Sequence, residues 1–180
     1  MNLFFRLMLV IIQAFRRPAL KPMDESVTSF RVLPNDLDLN IHMNNGRYLT
    51  IMDLGRVDLL VRTGLFSEAR RRGWFPVVGS VQIDYKRSLN PFQRYDLKTR
   101  VLGWDERWFV MEQVFVRDGK AVASAVLKAM ILSRGGMVPT ADVMAAVNFS
   151  QAPPKLSAQL LQRLDMKKSG NKNLEAEVEA

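Results

Sequence analysis

A short polar segment carries side chains whose types and spacing could do chemistry: Asp36, Asp38, Asn40 and His42. An extended backbone would send all four to one side, whereas a turn would fold them around a common point. The helix predicted to follow begins near residues 45–47, where unpaired backbone N–H groups and the positive end of the helix dipole can receive a developing oxyanion. A carboxylate beside such donors is suited to acyl transfer.

Each of these residues also has an ordinary structural explanation. Asp and Asn before a helix commonly cap it or form turns, and a lone histidine is more often structural or exposed than catalytic. Taken singly, every member of the segment is best explained in that way. The combination of a polar cluster with a long buried helix and an antiparallel sheet favours a functional site.

A long helix and a sheet must position this segment. Apolar residues recur at helical spacing from 46 to 64 and predict a largely buried helix, capped by Asn44 or Asn45 and closed by Gly64. Period-two patterns predict one strand before the helix and four after it, at 27–32, 77–85, 97–103, 108–117 and 121–132. Asp118-Gly119 is a strong two-residue hairpin signal between the last two strands.

We therefore predict an α+β domain in which an antiparallel five-stranded sheet wraps around one long central helix. The sheet is expected to cover the helix, because no second long helix is evident to do so. The predicted organisation is an N-terminal apolar helix and linker at 1–22, the main domain at 23–150, and a short helix and disordered tail at 151–180. Within the last part the helix is placed around Leu156 to Leu164, with disorder beyond Lys167.

Composition narrows the classes of function. With no cysteine and one histidine, the chain has no thiolate nucleophile and few ligands for zinc, so we expect no metal and no cofactor. The formal net charge of +8 at pH 7 favours an anionic partner such as nucleic acid, anionic lipid or the phosphates of coenzyme A. No nucleic-acid-binding motif surrounds the only run of three basic residues, Arg70 to Arg72, so nucleic acid is not expected.

The first segment, Leu3 to Phe15, is apolar except for Arg6 and Gln13, and it is followed by Arg16 and Arg17. It is shorter than the ~20 residues that span a bilayer, and its charges do not follow the order of a secretory signal. Three interpretations stay open: a helix packed on its own domain or on a partner subunit, an interfacial membrane helix, or a short insertion signal. The expected location is cytoplasmic, with peripheral membrane contact through residues 1–17 left open.

The segment Asp36-Leu-Asp-Leu-Asn-Ile-His-Met-Asn-Asn-Gly-Arg-Tyr48, before a long helix and four strands, resembles the 4-hydroxybenzoyl-CoA thioesterase branch of the hotdog superfamily. The resemblance implies a hotdog fold and assigns the catalytic carboxylate to Asp38. The Asp-x-Asn-x-His spelling also looks like plant acyl-ACP thioesterases, which implies a catalytic group of Asp38, Asn40 and His42. Those enzymes carry a Glu-Cys pair after a Tyr-Arg-Arg strand. This chain has Tyr85-Lys-Arg-Ser-Leu89 there, which argues against their full mechanism.

A closer resemblance covers residues 30–132. Arg31-Val-Leu-Pro34, Tyr85-Lys-Arg-Ser-Leu89 and Leu102-Gly-Trp-Asp-Glu-Arg107 are similar to the thioesterase-superfamily member 6 group. Animal members of that group begin with a hydrophobic segment, which the start of this chain partly matches. The resemblance also implies a homodimer with the active site at the subunit boundary, or a homotetramer.

The sequence thus predicts an acyl-CoA thioesterase that hydrolyses a fatty or aromatic acyl thioester to free acid and coenzyme A. Asp38 would act as base or nucleophile, while Asn40 and His42 position it, the water or the acyl group. The residues predicted to bind substrate are Asn44, Asn45, Gly46, Arg47, Tyr48 and Arg87. Arg94 and the run at 70–72 are further candidates for the coenzyme A phosphates.

Several alternatives remain at this stage. The same fold could serve a noncatalytic acyl-binding or scaffold protein, an acyl-ACP thioesterase, or a hydratase or dehydratase. Asp53, on the predicted central helix, is a second candidate for the catalytic carboxylate. Its structural explanation is an ion pair with Arg56 on the same helix.

Overall fold

The computed structural model describes residues 3–156 together with Leu160 and Leu164. Its main sheet is antiparallel and consists of β1 (Ser26–Arg31), β2 (Phe75–Tyr85), β3 (Arg94–Trp104), β4 (Phe109–Arg117) and β5 (Lys120–Ser133). Their order across the sheet is β1-β3-β4-β5-β2, and a short strand, β6 (Gly136–Val138), pairs with the end of β5. The helices are α1 (Leu3–Arg16), α2 (Asn45–Arg62), α3 (Leu65–Arg72) and α4 (Thr140–Ala146).

The predicted α+β class is confirmed, with the long helix and all five strands in the expected places. The hairpin between β4 and β5 turns at Asp118 and Gly119, whose φ angles are 50° and 71°. Positive φ at both central residues is what a type I′ turn requires, and this turn matches the twist of the flanking strands. The helices α3 and α4 and the strand β6 were not predicted, since elements of eight, seven and three residues are too short for an apolar pattern to repeat often enough to identify them.

The helix α2 approaches the sheet closely at Gly55. A Cβ atom there would lie 2.6 Å from Leu97 Cδ2 and 2.7 Å from Thr99 Oγ1. Gln113, fully buried beside them, donates from Nε2 to Thr99 Oγ1 and to the Met52 carbonyl oxygen, both at 2.9 Å. The missing side chain therefore lets a buried polar network join the helix backbone to β3 and β4.

Gly55→Ala is expected to lower the free energy of unfolding by about 1–3 kcal/mol, because the added methyl group overpacks this contact. The loss should appear although alanine has the higher helix propensity. Urea unfolding followed by circular dichroism measures it. Gly135→Ala is the control, since its Cβ would meet Ser133 Oγ at an ordinary 3.7 Å. Equal unfolding free energies for the two variants would contradict the assignment.

The sheet covers α2 as expected, but it is not the only cover, because a second helix also packs on α2. The helix α1 packs alongside α2 through its buried Val10 and Ala14, which the sequence did not place. Its Arg6 is buried, and the guanidinium donates to both carboxylate oxygens of buried Asp36, at 2.5 and 3.1 Å. The first of the open interpretations of this segment, a helix packed on its own domain, therefore holds for its inner face.

The C-terminal predictions lie largely outside the described residues. The predicted disorder beyond Lys167 is entirely outside them, and of the helix predicted up to Leu164 only single positions are described. Leu160 and Leu164 are helical and form an apolar cluster with Val110 and Val126. Within the described part of the chain, no helix is long and apolar enough to cross a membrane.

Candidate active site

The predicted polar segment forms a tight loop between β1 and α2. Leu37 and Met43 pair as an isolated antiparallel bridge, which brings the ends of the loop together. Inside it, the Asp38 N–H donates to the His42 carbonyl at 2.9 Å, and Ile41 adopts a φ of 58°. A positive φ is strained for a β-branched residue, and such strain is often found at functional sites.

The Asp38 carboxylate is oriented by the loop backbone. Its Oδ1 accepts hydrogen bonds from the N–H groups of Asn40, at 2.8 Å, and His42, at 3.3 Å. The alternation Asp-x-Asn-x-His therefore has a direct structural consequence: the second and third members donate backbone N–H groups to the first. The carboxylate closes the turn and also faces a cleft.

This cleft has a volume of about 350 Å³ and lies between the loop, the start of α2 and the end of β2. Six of the nine predicted site residues line it: Asp38, Asn40, His42, Asn45, Tyr48 and Arg87. Four residues not predicted as site residues also line it: Met43, Tyr85, Lys86 and Ser88. Three of those four belong to the Tyr85-Lys-Arg-Ser segment. Their position next to Arg87 in the sequence is the feature that could have identified them as site residues.

Two tyrosines form the wall of the cleft next to α2. The buried Tyr48 meets Tyr85 edge to face, with ring centroids 5.1 Å apart, and the Tyr85 hydroxyl donates to the Asn45 carbonyl at 3.0 Å. Burial raises the pKa of Tyr48 to about 12, opposed by a backbone hydrogen bond at Leu89, and burial also raises the pKa of Tyr85. Both phenols are therefore protonated at neutral pH and can donate hydrogen bonds, but they cannot act as bases.

The remaining three predicted residues, Asn44, Gly46 and Arg47, are not among the residues that line the cleft. Asn44 caps α2: its Oδ1 accepts from the Gly46 N–H and its carbonyl accepts from the Arg47 N–H, both at 2.8 Å. The Arg47 guanidinium donates to the Asn35 carbonyl at 2.8 Å. The backbone N–H groups of residues 45–47 were the ones predicted to receive the oxyanion. Asn44 accepts hydrogen bonds from those of Gly46 and Arg47, but not from that of Asn45.

The other acids near the site have structural partners. Asp36 does not line the cleft; it is buried between Arg6 and Arg47, with the latter 3.5 Å away. On α2, Asp53 forms the predicted ion pair with Arg56 and lies away from the cleft. The structure thus separates the two acids of the Asp-x-Asp pattern, one buried in an ion pair and one facing the cleft.

A small basic pocket of about 180 Å³ adjoins the cleft and shares Arg87 and Ser88 with it. Its other charged residues lie at the hairpin between β4 and β5: Arg117, Lys120 and Asp118, of which Asp118 pairs with Arg117 at 3.2 Å. The further phosphate candidates lie elsewhere: Arg94 begins β3, and residues 70–72 end α3. Arg87 is therefore the predicted basic residue that the fold brings to the cleft.

An apolar groove of about 210 Å³ lies between the second half of α2, the sheet and α4. Its apolar lining includes Val57, Leu60, Val78, Met111, Met130 and Val143. With 100° per helical residue, Asn45, Leu49, Asp53 and Leu60 fall on one side of α2, from the cleft towards the groove. Along β2, Tyr85 lies at the cleft and Pro76 at the groove, so the same two elements border both.

No group of three or more His, Asp or Glu side chains in the described ranges could hold a metal ion.

A family model described as the thioesterase-like superfamily matches residues 32–163. The chain is similar to Protein THEM6 from Xenopus laevis, with 32% identity over 97% of this chain and 84% of that protein. Protein THEM6 from Danio rerio is 41% identical over 63% of this chain and 56% of that protein, so the chain spans just over half of that relative.

Solved structures of thioesterases share the fold. The YbaW probable thioesterase from Escherichia coli gives a TM-score of 0.63 at 20% identity, over 67% of this chain and 95% of that chain. BH1999, a gentisyl-coenzyme A thioesterase, gives a TM-score of 0.61 at 20% identity, over 67% of this chain and 99% of that chain. These likenesses confirm the expected hotdog fold.

Proposed function

The chain belongs to the thioesterase-like superfamily, and we propose that it hydrolyses acyl-CoA thioesters to the free acid and coenzyme A. Membership confirms the predicted family and the predicted class of thioester hydrolase. One observation carries the choice of substrate: the cleft that holds Asp38 has a basic pocket beside it and an apolar groove farther along α2. An acyl-CoA has phosphates, a thioester and an acyl group, which match these three features.

The proposed chemistry centres on the Asp38 carboxylate. As a general base, it takes a proton from a water molecule whose oxygen attacks the thioester carbonyl, the C–S bond breaks, and the proton passes to the departing thiolate. As a nucleophile, it attacks the thioester carbonyl and the C–S bond breaks, which leaves an acyl anhydride on Asp38 and the coenzyme A thiolate. Water then hydrolyses the anhydride, which releases the free acid, restores the Asp38 carboxylate and supplies the proton that the thiolate takes up. The side chains of Asn40 and His42 position the water or the acyl group, and the Asn45 N–H at the start of α2 stabilises the oxyanion.

The proposed acyl site is the groove between α2 and the sheet. Its lining is almost entirely apolar, which suits a fatty or aromatic acyl group and disfavours a charged one. Asp53 and Arg56 are charged members of the lining, and they are paired with each other. In this proposal the carbonyl end of the substrate stays in the cleft, and its acyl chain follows the outward side of α2.

Arg87 is proposed to contact a phosphate of coenzyme A. Arg87→Ala is then expected to raise KM for acyl-CoA by about tenfold and to leave kcat nearly unchanged, since a charged hydrogen bond to the carrier is lost in ground and transition states alike. Steady-state kinetics at low and high salt measure both effects. Arg94→Ala is the matched control, because it removes an exposed arginine from another part of the surface. Equal changes in the two variants would contradict this role.

A homodimer is proposed as the working assembly. The strand β2 is an edge of the main sheet in the described chain, and it exposes Phe75 and Val78. An exposed edge strand with apolar side chains is a template for pairing with another strand. Because Tyr85 belongs to both β2 and the cleft, pairing of two β2 edges would place each cleft at the subunit boundary. Light scattering on the purified chain distinguishes a monomer, a dimer and a tetramer.

The proposed function is tested by a panel of acyl-CoA substrates that vary in chain length and aromatic character, with thiol release as readout. Turnover well above the uncatalysed rate for one class is expected. Tight acyl-CoA binding without thiol release would instead indicate a noncatalytic acyl-binding protein. A strong preference for the same acyl group on acyl carrier protein would indicate an acyl-ACP thioesterase.

A further inference from the structure

The helix α1 exposes apolar side chains and buries a charged one. Arg6, near its start, is 5% exposed and points inward to Asp36, whereas Phe4, Phe5 and Phe15 are 60%, 59% and 62% exposed. The outer face also includes exposed Met8, Leu9 and Ile12. A surface helix in water normally turns its charges outward and its apolar side chains inward. A contiguous apolar face of this kind marks a surface that contacts something other than water.

The border of this face is basic. Residues 1–23 contain no Asp or Glu, and Arg16 is exposed at the end of α1. At the same end, Phe15 shares a surface hollow with Phe66, Arg70 and Arg71 of α3. Glu68 is the acid next to them, and it pairs with Arg71 at 2.6 Å and with Arg72 at 3.0 Å. Positive charge therefore exceeds negative charge along this border.

We propose that the outer face of α1 docks on an anionic lipid bilayer, with the helix lying in the plane of the interface. Its apolar side chains enter the boundary between headgroups and acyl chains, and Arg16 and Arg70 meet anionic headgroups. The helix has 14 residues and is about 21 Å long, short of the roughly 30 Å of the hydrocarbon core, which fits a helix that lies on the bilayer.

Charge complementarity selects lipid over a second copy of the chain. A two-fold contact through this face would bring the same surface of both copies together. The basic borders would then approach each other with little acid to offset them. An anionic membrane supplies both an apolar layer for the phenylalanines and negative charge for the arginines.

The docking helix is attached to the candidate site. The buried ion pair between Arg6 and Asp36 joins α1 to the loop that carries Asp38. A hydrogen bond from the Asn44 N–H to the Asp36 carbonyl, 2.8 Å long, continues the connection to the start of α2. When α1 is docked on the bilayer, these contacts therefore hold the loop that carries Asp38 close to the membrane surface.

Sedimentation with vesicles tests the proposal on the full chain. Wild type is expected to bind vesicles of phosphatidylcholine with phosphatidylglycerol, to bind pure phosphatidylcholine more weakly, and to lose the difference at high salt. Replacing Phe4, Phe5 and Phe15 together by Ser should lower the partition coefficient at least roughly tenfold, because most of the inserted apolar area is lost. The control is Phe92→Ser, at an exposed phenylalanine outside α1, which should bind as wild type does.

A second pair of changes keeps the test informative if the triple variant does not fold, as judged by circular dichroism. Arg16→Gln with Arg70→Gln should weaken binding to the anionic vesicles and leave binding to pure phosphatidylcholine unchanged. The proposal is overturned if wild type sediments with neither vesicle, or if the folded triple variant binds like wild type. A third outcome would also overturn it: wild type binds no vesicle, and light scattering gives the triple variant a lower molar mass than wild type. A second copy of the chain would then cover the face.

Discussion

Asp38→Asn is expected to reduce kcat/KM for the preferred acyl-CoA by roughly 10²- to 10⁴-fold, the range for loss of a positioned general base. The change is nearly isosteric, and the Oδ1 of asparagine can still accept from the Asn40 and His42 amides that hold the aspartate now. The loop and the cleft should therefore keep their shape while the base or nucleophile is lost. Thiol-release kinetics measure the effect, with circular dichroism and thermal unfolding as checks on the fold.

Asp53→Asn is the matched control for Asp38→Asn. It makes the same chemical change on the other candidate carboxylate, which is paired with Arg56 and lies outside the cleft. We expect its kcat to stay within about threefold of wild type, because Asp53 lines the proposed acyl groove and lies away from the reacting atoms, so that any effect falls on KM. Full activity of Asp38→Asn together with loss of activity in Asp53→Asn would move the catalytic role to α2.

Arg6→Ala is expected to lower the free energy of unfolding by about 3–5 kcal/mol, the range for removing one partner of a buried ion pair. Asp36, which is 1% exposed, would lose its bidentate partner and keep the longer contact to Arg47 at 3.5 Å. Urea unfolding at neutral pH measures the loss. Arg16→Ala removes an exposed arginine from the same helix and should change the free energy of unfolding by no more than about 0.5 kcal/mol.

The stability lost in Arg6→Ala could come from the unpaired charge of Asp36 or from lost packing of the arginine side chain, and a second variant distinguishes the two. The double variant Arg6→Met with Asp36→Leu removes both charges and fills similar volume, so it should be more stable than Arg6→Ala. The Leu33 N–H, which now donates to Asp36 Oδ2 at 2.9 Å, limits the recovery. A double variant less stable than Arg6→Ala would show that the uncompensated charge is not the main cost.

The sequence alone determined the elements whose formation depends on neighbours along the chain. Apolar periodicity located α2 and the five strands, because burial repeats with the period of the element itself. The hairpin at Asp118 and Gly119 was predictable because it depends on two residues that tolerate positive φ. The cap of α2 by Asn44 was equally local, and so was the ion pair between Asp53 and Arg56.

The tertiary structure decided which residues of a correct pattern meet one another. Asp36 and Asp38 are two residues apart and chemically alike, and only the approach of Arg6, distant in sequence, makes one structural while the other faces the cleft. Arg87 and Arg94 were both candidates for the coenzyme A phosphates, and of these two only Arg87 lines the cleft that holds Asp38.

The outward face of α1 was undecided for the same physical reason. Its polar residues, Arg6, Gln13 and Arg16, do not show which side packs on α2, because Arg6 is buried whereas Gln13 and Arg16 are exposed. A local pattern records the period of burial, whereas the identity of the covering partner depends on contacts between residues far apart in the chain. Those contacts form only when the whole domain folds.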